Sequence, residues 1–169
     1  PVGSDAYKIL IDHSQSVADK AVELAQSHPE MELNLSFIRE AGLLHDIGVF
    51  MCNAPGIACY GEYDYICHGY LGGDLLRGEG YPDHALVCER HTGTGIPLKM
   101  IKEANLPLPH RDLMPVSLEE QLICFADKFF SKTKLGKEKS TDQVIQSLSK
   151  YGEETVARFK GWCKLFLGE

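Results

Sequence analysis

The sequence predicts an all-α domain, and three observations carry that prediction. Apolar residues recur at three- and four-residue spacing almost throughout, and no run alternates as a half-buried strand would. Cap residues and glycine stops divide the periodic segments at helix lengths. At 169 residues, with 44% hydrophobic and 24% charged, the chain can build one core without staples. A single domain over 1–169 is therefore expected.

Leu10, His13, Val17, Ala21 and Leu24 form the stripe of a first helix that must end before Pro29. Leu35, Ile38, Gly42 and His45 form the second, with Asn34 as N-cap and Gly48 as stop. Residues 49–63, holding Pro55, Gly56 and Gly61, read as irregular, and their length suits a lid or substrate loop. A third helix carries Tyr65, His68, Gly72 and Leu75 and ends near Gly78-Glu79-Gly80. Pro82 opens a fourth, which runs to His91 and stops at Gly93. A short helix near 97–104 leads into a connector with Pro107, Pro109 and Pro115. Ser117 and Glu120 form a capping box for a helix with Ile123, Asp127 and Phe130 on one face. Ser140 and Gln143 open another, and Gly152 separates it from a last helix ending near Phe166.

Composition narrows the function. Cysteines 52, 59, 67, 88, 124 and 163 contain no Cys-x-x-Cys pair, which argues against a zinc knuckle and for reduced thiols in a cytoplasmic protein. A net charge of −7 opposes binding to a nucleic-acid polymer. No apolar run approaches the ~20 residues that span a bilayer, so no membrane partner is expected. The opening Pro1-Val2-Gly3-Ser4-Asp5 is not expected to be a signal peptide.

The adjacent pair His45-Asp46, at the end of an apolar helix, is the most telling feature. Burying either residue is costly unless it is paired or bound to a cation, and imidazole with carboxylate suits a divalent metal. His13, His45, His68, His91 and Asp127 lie on the apolar stripes, with Asp46 beside His45. Ligands on several helices facing one interior are how helical domains build metal sites. One ion takes about four protein ligands, so six suit two ions sharing a carboxylate, and Asp46 is the expected bridge. Iron, manganese, zinc, nickel and cobalt all fit such a set.

In order and type these residues resemble the HD superfamily: Asp12-His13-Ser14, then His45-Asp46-Ile47-Gly48, His68, His91, and Phe125-Ala126-Asp127-Lys128. His68-x3-Gly72 and Arg90-His91-Thr92-Gly93 are similar to pieces of the two-iron HD hydrolases that split diadenosine tetraphosphate. The segment Arg90 to Ile96 resembles uncharacterised small HD proteins. Cyclic-dinucleotide HD-GYP domains have a double histidine where this chain has Arg90-His91. The resemblance implies an HD-type helical bundle, with a metal-binding core over about 10–130 and further helices over about 140–167. It also implies a metal-dependent phosphohydrolase. Its substrate would be a nucleotide or other small phosphorylated metabolite, attacked by metal-bound hydroxide.

Beside the ligand and bridge Asp46, Arg90 and Lys128 are expected to neutralise charge on the transferred phosphate, or else to form structural ion pairs. The same six ligands also serve HD-type di-iron oxygenases, and a metal-stabilised binding module is a third reading. Lys132, Lys134, Lys137 and Lys139 either attract an anionic substrate or line a solvated loop. Tyr60, Tyr63 and Tyr65 either stack on a base or edge the core, His28 and His84 are expected at helix ends or the surface, and His110 in the connector. Oligomeric state is not encoded in any of these features.

Overall fold

The computed structural model describes residues 2–168; Pro1 and Glu169, the ends of the expected domain, lie outside it. Eight α-helices are described: α1 Asp5–Ser27, α2 Leu35–Leu44, α3 His68–Gly78, α4 Pro82–Arg90, α5 Leu98–Glu103, α6 Leu118–Asp127, α7 Thr141–Leu148 and α8 Glu153–Leu167. The expected N-caps act as caps, whereas α2 ends at Leu44 and Gly48, its expected stop, lies inside the 3-10 helix Ile47–Met51 and serves close packing instead. Asn34 accepts from the Phe37 amide, and Ser117 with Glu120 and Ser140 with Gln143 form reciprocal capping boxes.

One difference lies in residues 49–63. A short 3-10 helix, Ile47–Met51, leads into antiparallel β1 (Asn53–Ala54) and β2 (Cys59–Tyr60), paired Asn53 to Tyr60 and Ala54 to Cys59. The turn between them runs through Pro55–Ile57 and a left-handed Ala58. Two residues per strand are too few for alternation to show in the sequence.

The main core gathers α1, α2, α6, α7 and α8. Val17, Ile38, Leu122, Ile123, Phe125 and Phe159 are fully buried within it. Burying a side chain of this size contributes about 1.5–3 kcal/mol. Phe125 is central, with ring centroids of Phe129 at 5.0 Å, Phe159 at 5.1 Å and Phe166 at 5.5 Å. This cluster anchors α6, and with it Asp127 at the helix end.

The other half of the fold rests on close backbone approach. A Cβ on Gly48 would stand 2.2 Å from the His68 carbonyl and 2.5 Å from the Gly72 nitrogen, while one on Gly72 would meet the Cys88 sulfur at 2.4 Å. The glycines after the doublet and after His68 therefore let the segment following α2, α3 and α4 pack backbone to backbone. α8 is tied to the same region, because Arg158 donates to the Thr94 carbonyl at 3.2 Å and to its hydroxyl at 3.0 Å. No described helix is long and apolar enough to cross a membrane.

Candidate metal centre

The structure brings all six predicted ligands together, and each is buried. Their positions follow from helix ends. His45 and His91 are the residues just past α2 and α4, His68 follows the short 3-10 helix Tyr65–Cys67, and Asp127 is the last residue of α6. The last carbonyls of a helix have no partner inside it. Two of the histidines use this, the Nδ1–H of His45 donating to the Gly42 carbonyl at 2.7 Å and that of His91 to Cys88 at 2.7 Å, while the Nδ1–H of His68 shares the Tyr65 carbonyl, at 2.6 Å, with its own backbone N–H. A proton fixed on Nδ1 leaves Nε2 as the lone-pair nitrogen, and all three Nε2 atoms face the centre. The negative ends of α2, α4 and α6 converge there as well, an arrangement that favours cations.

Asp46 sits between two groups of ligand atoms. Its Oδ2 lies 3.1 Å from His13 Nε2 and 3.1 Å from His45 Nε2. Its Oδ1 lies 3.4 Å from His68 Nε2 and 3.3 Å from His91 Nε2. Asp127 Oδ1 completes the first group, 3.0 Å from His13 Nε2 and 3.4 Å from His45 Nε2. His13, His45, Asp46 and Asp127 thus form one cluster, and Asp46, His68 and His91 another.

Divalent ions fit these residues on three grounds. His45 Nε2 and Asp46 Oδ1 are buried without hydrogen-bond partners, and the charged neighbour of Asp46 Oδ2 is the Lys132 ammonium. The Nε2 atoms of His68 and His91 face each other at 3.1 Å, lone pair toward lone pair once Nδ1 carries the proton. Nitrogen and carboxylate oxygen are borderline donors that first-row divalent metals accept. Two distinct clusters are present, in line with a divalent-metal cofactor.

Electrostatics agree. Burial resists charge on Asp46, but His45 and Lys132 hold its carboxyl well below the usual range. Burial likewise opposes charge on Asp127, and Lys128 overcomes it. Burial drives His68 down to about 3 and lowers His91, so both imidazoles are neutral ligands. For His45 burial acts in the same direction, yet the Asp46 carboxylate outweighs it and raises the imidazole above its ordinary value. Without metal, His45 keeps a proton that an ion must displace, and raising the pH removes that competitor. Affinity for Mn²⁺ should therefore rise about tenfold per pH unit between about pH 6 and 8. A flat response in a metal titration across that window would show that binding does not use His45.

A cavity of about 580 Å³ opens on this centre and is lined by His68, His91 and Asp127 together with Lys128, Lys132, Lys139 and Lys150. Lys132 Nζ stands 2.6 Å from Asp46 Oδ2. Lys128 Nζ lies 2.6 Å from Asp127 Oδ2 and donates to the His91 carbonyl at 3.0 Å. Ala54, Gly56 and Ile57 of the 49–63 stretch form part of the wall, and so does Tyr65, whose ring lies 4.7 Å from that of His68.

Of the two expectations for Arg90, a phosphate contact or a structural ion pair, the geometry matches the ion pair. Arg90 pairs with Glu120 at 3.1 Å and is not among the cavity-lining residues. The α4 backbone points His91 inward and leaves its neighbour facing the buried Glu120 of the α6 capping box. His28 bonds Glu30 and the Phe166 carbonyl, His84 pairs with Glu40, and His110 is exposed. Tyr60 and Tyr63 are exposed and lie off this cavity.

Sequence reasoning passed over Thr92, Gly93, Lys150 and Tyr151 as lining residues. Position beside His91 could have flagged the first two. Nothing local marks the other two, which come from the far end of the chain.

The model of the family described as HD domain matches residues 10–131. An uncharacterised protein of Methanocaldococcus jannaschii is 33% identical over 144 residues, covering 83% of this chain and 76% of its own length. Two proteins named tRNA (cytidine(56)-2'-O)-methyltransferase are also similar. That of Thermoplasma volcanium is 31% identical over 90% of this chain, and that of Picrophilus torridus 26% identical over 78%. The chain spans only 40% and 34% of those two proteins. No solved structure matches. The matched span runs from just before His13 to just past Asp127 and so takes in every residue of the paired clusters: the chain belongs to the HD-domain family.

Proposed function

We propose that this protein is a metal-dependent phosphohydrolase acting on a nucleotide or another small phosphorylated metabolite. The observation that carries the reading is the cavity itself, where four lysines surround the open side of a two-cluster His/Asp centre in a chain of net charge −7. Such a field selects an anionic group and directs it to the histidines. A pair of divalent ions, when bound, activates water and polarises a phosphoryl oxygen.

The chain's own residues complete the site. Asp46 and Asp127 stay ionised and would hold the ions together with the imidazoles of His13, His45, His68 and His91. Lys132, on the segment after α6, presents its ammonium beside Asp46 and neutralises charge on the transferred phosphoryl oxygens. Lys128 fixes the free oxygen of Asp127 and the His91 carbonyl, so it positions two ligands at once. Tyr65 is available to flank the leaving portion of the substrate. Arg90 has no part in this arrangement. The likeness to proteins named for tRNA modification supports a nucleotide as substrate. Six buried cysteines, with no disulfide among the described residues, support a reducing, cytoplasmic setting.

Lys132→Met should lower kcat/KM for phosphate release about tenfold to a hundredfold, largely through kcat. Arg90→Met should lower thermal stability and leave turnover of the folded protein unchanged. The reading is tested by purifying the protein anaerobically, measuring metal content, and assaying phosphate release and O₂ uptake on a metabolite panel. Phosphate release without O₂ uptake supports it. O₂ consumption without phosphate release overturns it in favour of an oxygenase, and neither activity overturns it in favour of a binding module.

A further inference from the structure

A second hollow, of about 500 Å³, adjoins the cationic cavity and is lined by Lys134, Lys137, Lys139, Gln143 and Gln146, with one carboxylate, Glu138, which is paired with Lys20. Ser131, Lys139 and Ser147 line both hollows, so the two share a rim. Residues 128–150 hold six lysines against two carboxylates, Glu138 and Asp142, in a chain of net charge −7. The positive charge is therefore concentrated in one segment rather than spread over the surface.

The ion pairs of that segment are Lys128 with Asp127, Lys132 with Asp46, and Glu138 with Lys20. Lys134, Lys137 and Lys139 have no carboxylate partner among the described residues. Lys139 shows the consequence. Burial lowers its pKa, and Lys128, Lys134 and Lys150 add repulsion that Asp127 offsets only in part. Lysines crowded without counter-charge are what a bound polyanion relieves. The amide groups of Gln143 and Gln146, exposed on α7 and lining the same hollow, can donate to phosphate oxygens.

We propose that the second hollow is a phosphate subsite: the substrate carries another phosphoryl group beyond the one facing the histidines, and Lys134, Lys137, Gln143 and Gln146 receive it. The fate of the first group rests on the phosphohydrolase reading, whereas binding of the second does not. The second group comes either from a phosphoanhydride chain or from a separate phosphoester on the same molecule. Either source makes a singly phosphorylated compound the weaker ligand.

The test is calorimetric binding to the Mn²⁺-loaded full chain at low salt, with adenosine monophosphate, adenosine diphosphate and adenosine 3′,5′-bisphosphate as probes. Lys134→Ala/Lys137→Ala should weaken at least one doubly phosphorylated probe about tenfold and change monophosphate binding less than twofold. Loss confined to the diphosphate identifies a chain, and loss confined to the bisphosphate identifies a separate ester. Lys99→Ala/Lys102→Ala on α5 removes the same charge from residues that line neither hollow and should change nothing. An equal loss for all probes, no loss for any, an effect matched by the α5 variant, or no binding to the wild type would each overturn the subsite. Phosphate release is measured separately, so selective weakening without turnover retires the hydrolase reading and leaves the subsite standing.

Discussion

Asp46→Asn should lower kcat/KM for phosphate release by at least about 10³-fold and strip the protein of most of its metal. The two oxygens of this one carboxylate face different imidazole pairs, His13 with His45 and His68 with His91. The amide has nearly the same volume, so the surrounding helices keep their packing. It carries no charge, however, and its N–H would donate to an imidazole lone pair, tying up a nitrogen that the ion needs. Elemental analysis of the purified variant, with circular dichroism to verify folding, checks the result. Asp127→Asn is the informative contrast, because Asp127 serves only the cluster of His13 and His45. It should cost one ion and spare the one held by His68 and His91. Retention of the full wild-type metal content by Asp46→Asn would disprove the shared-carboxylate arrangement.

Metal removal should cost about 10 °C in Tm for each ion released. An ion present at a thousand times its Kd stabilises the folded state by about 4 kcal/mol, and a domain of this size shifts by about 2–4 °C per kcal/mol. The apo centre has little with which to compensate. His45 Nε2 and the Asp46 oxygens are walled off from water, and the ammonium of Lys132 can reach only one side of Asp46. Differential scanning fluorimetry before and after exhaustive chelation, followed by Mn²⁺ addition, measures the shift and its reversal. An unchanged Tm would mean that ions do not occupy the clusters in the folded protein.

Much of this was legible from the sequence because it depends on local rules. Helix caps at Asn34, Ser117 and Ser140 are short-range hydrogen-bonding patterns, and they act where expected. His13, His45, His68, His91 and Asp127 could be grouped because each falls on an apolar stripe, and stripes must meet in a core. Arg90 shows the limit. Its neighbour in the sequence is His91, but its partner in space is Glu120, thirty residues away. Lys132 lies on a segment without periodicity, so nothing in its local pattern distinguishes it from Lys134 or Lys137. Its turn toward Asp46 is set by how the chain leaves α6. Lys150 and Tyr151 reach the cavity only because α7 and α8 fold back over Phe125, a long-range event that no window of sequence reports.

The rings of His45, His68 and His91 hang from main-chain carbonyls at helix ends, so their aim is inherited from the scaffold rather than imposed by what they hold. Such a receptacle is shaped before anything enters it. It acts as a rigid gauge, admitting guests by radius and preferred geometry. Exchanging one transition element for another should therefore alter reactivity far more than it alters the architecture, and a lost guest can be replaced without refolding.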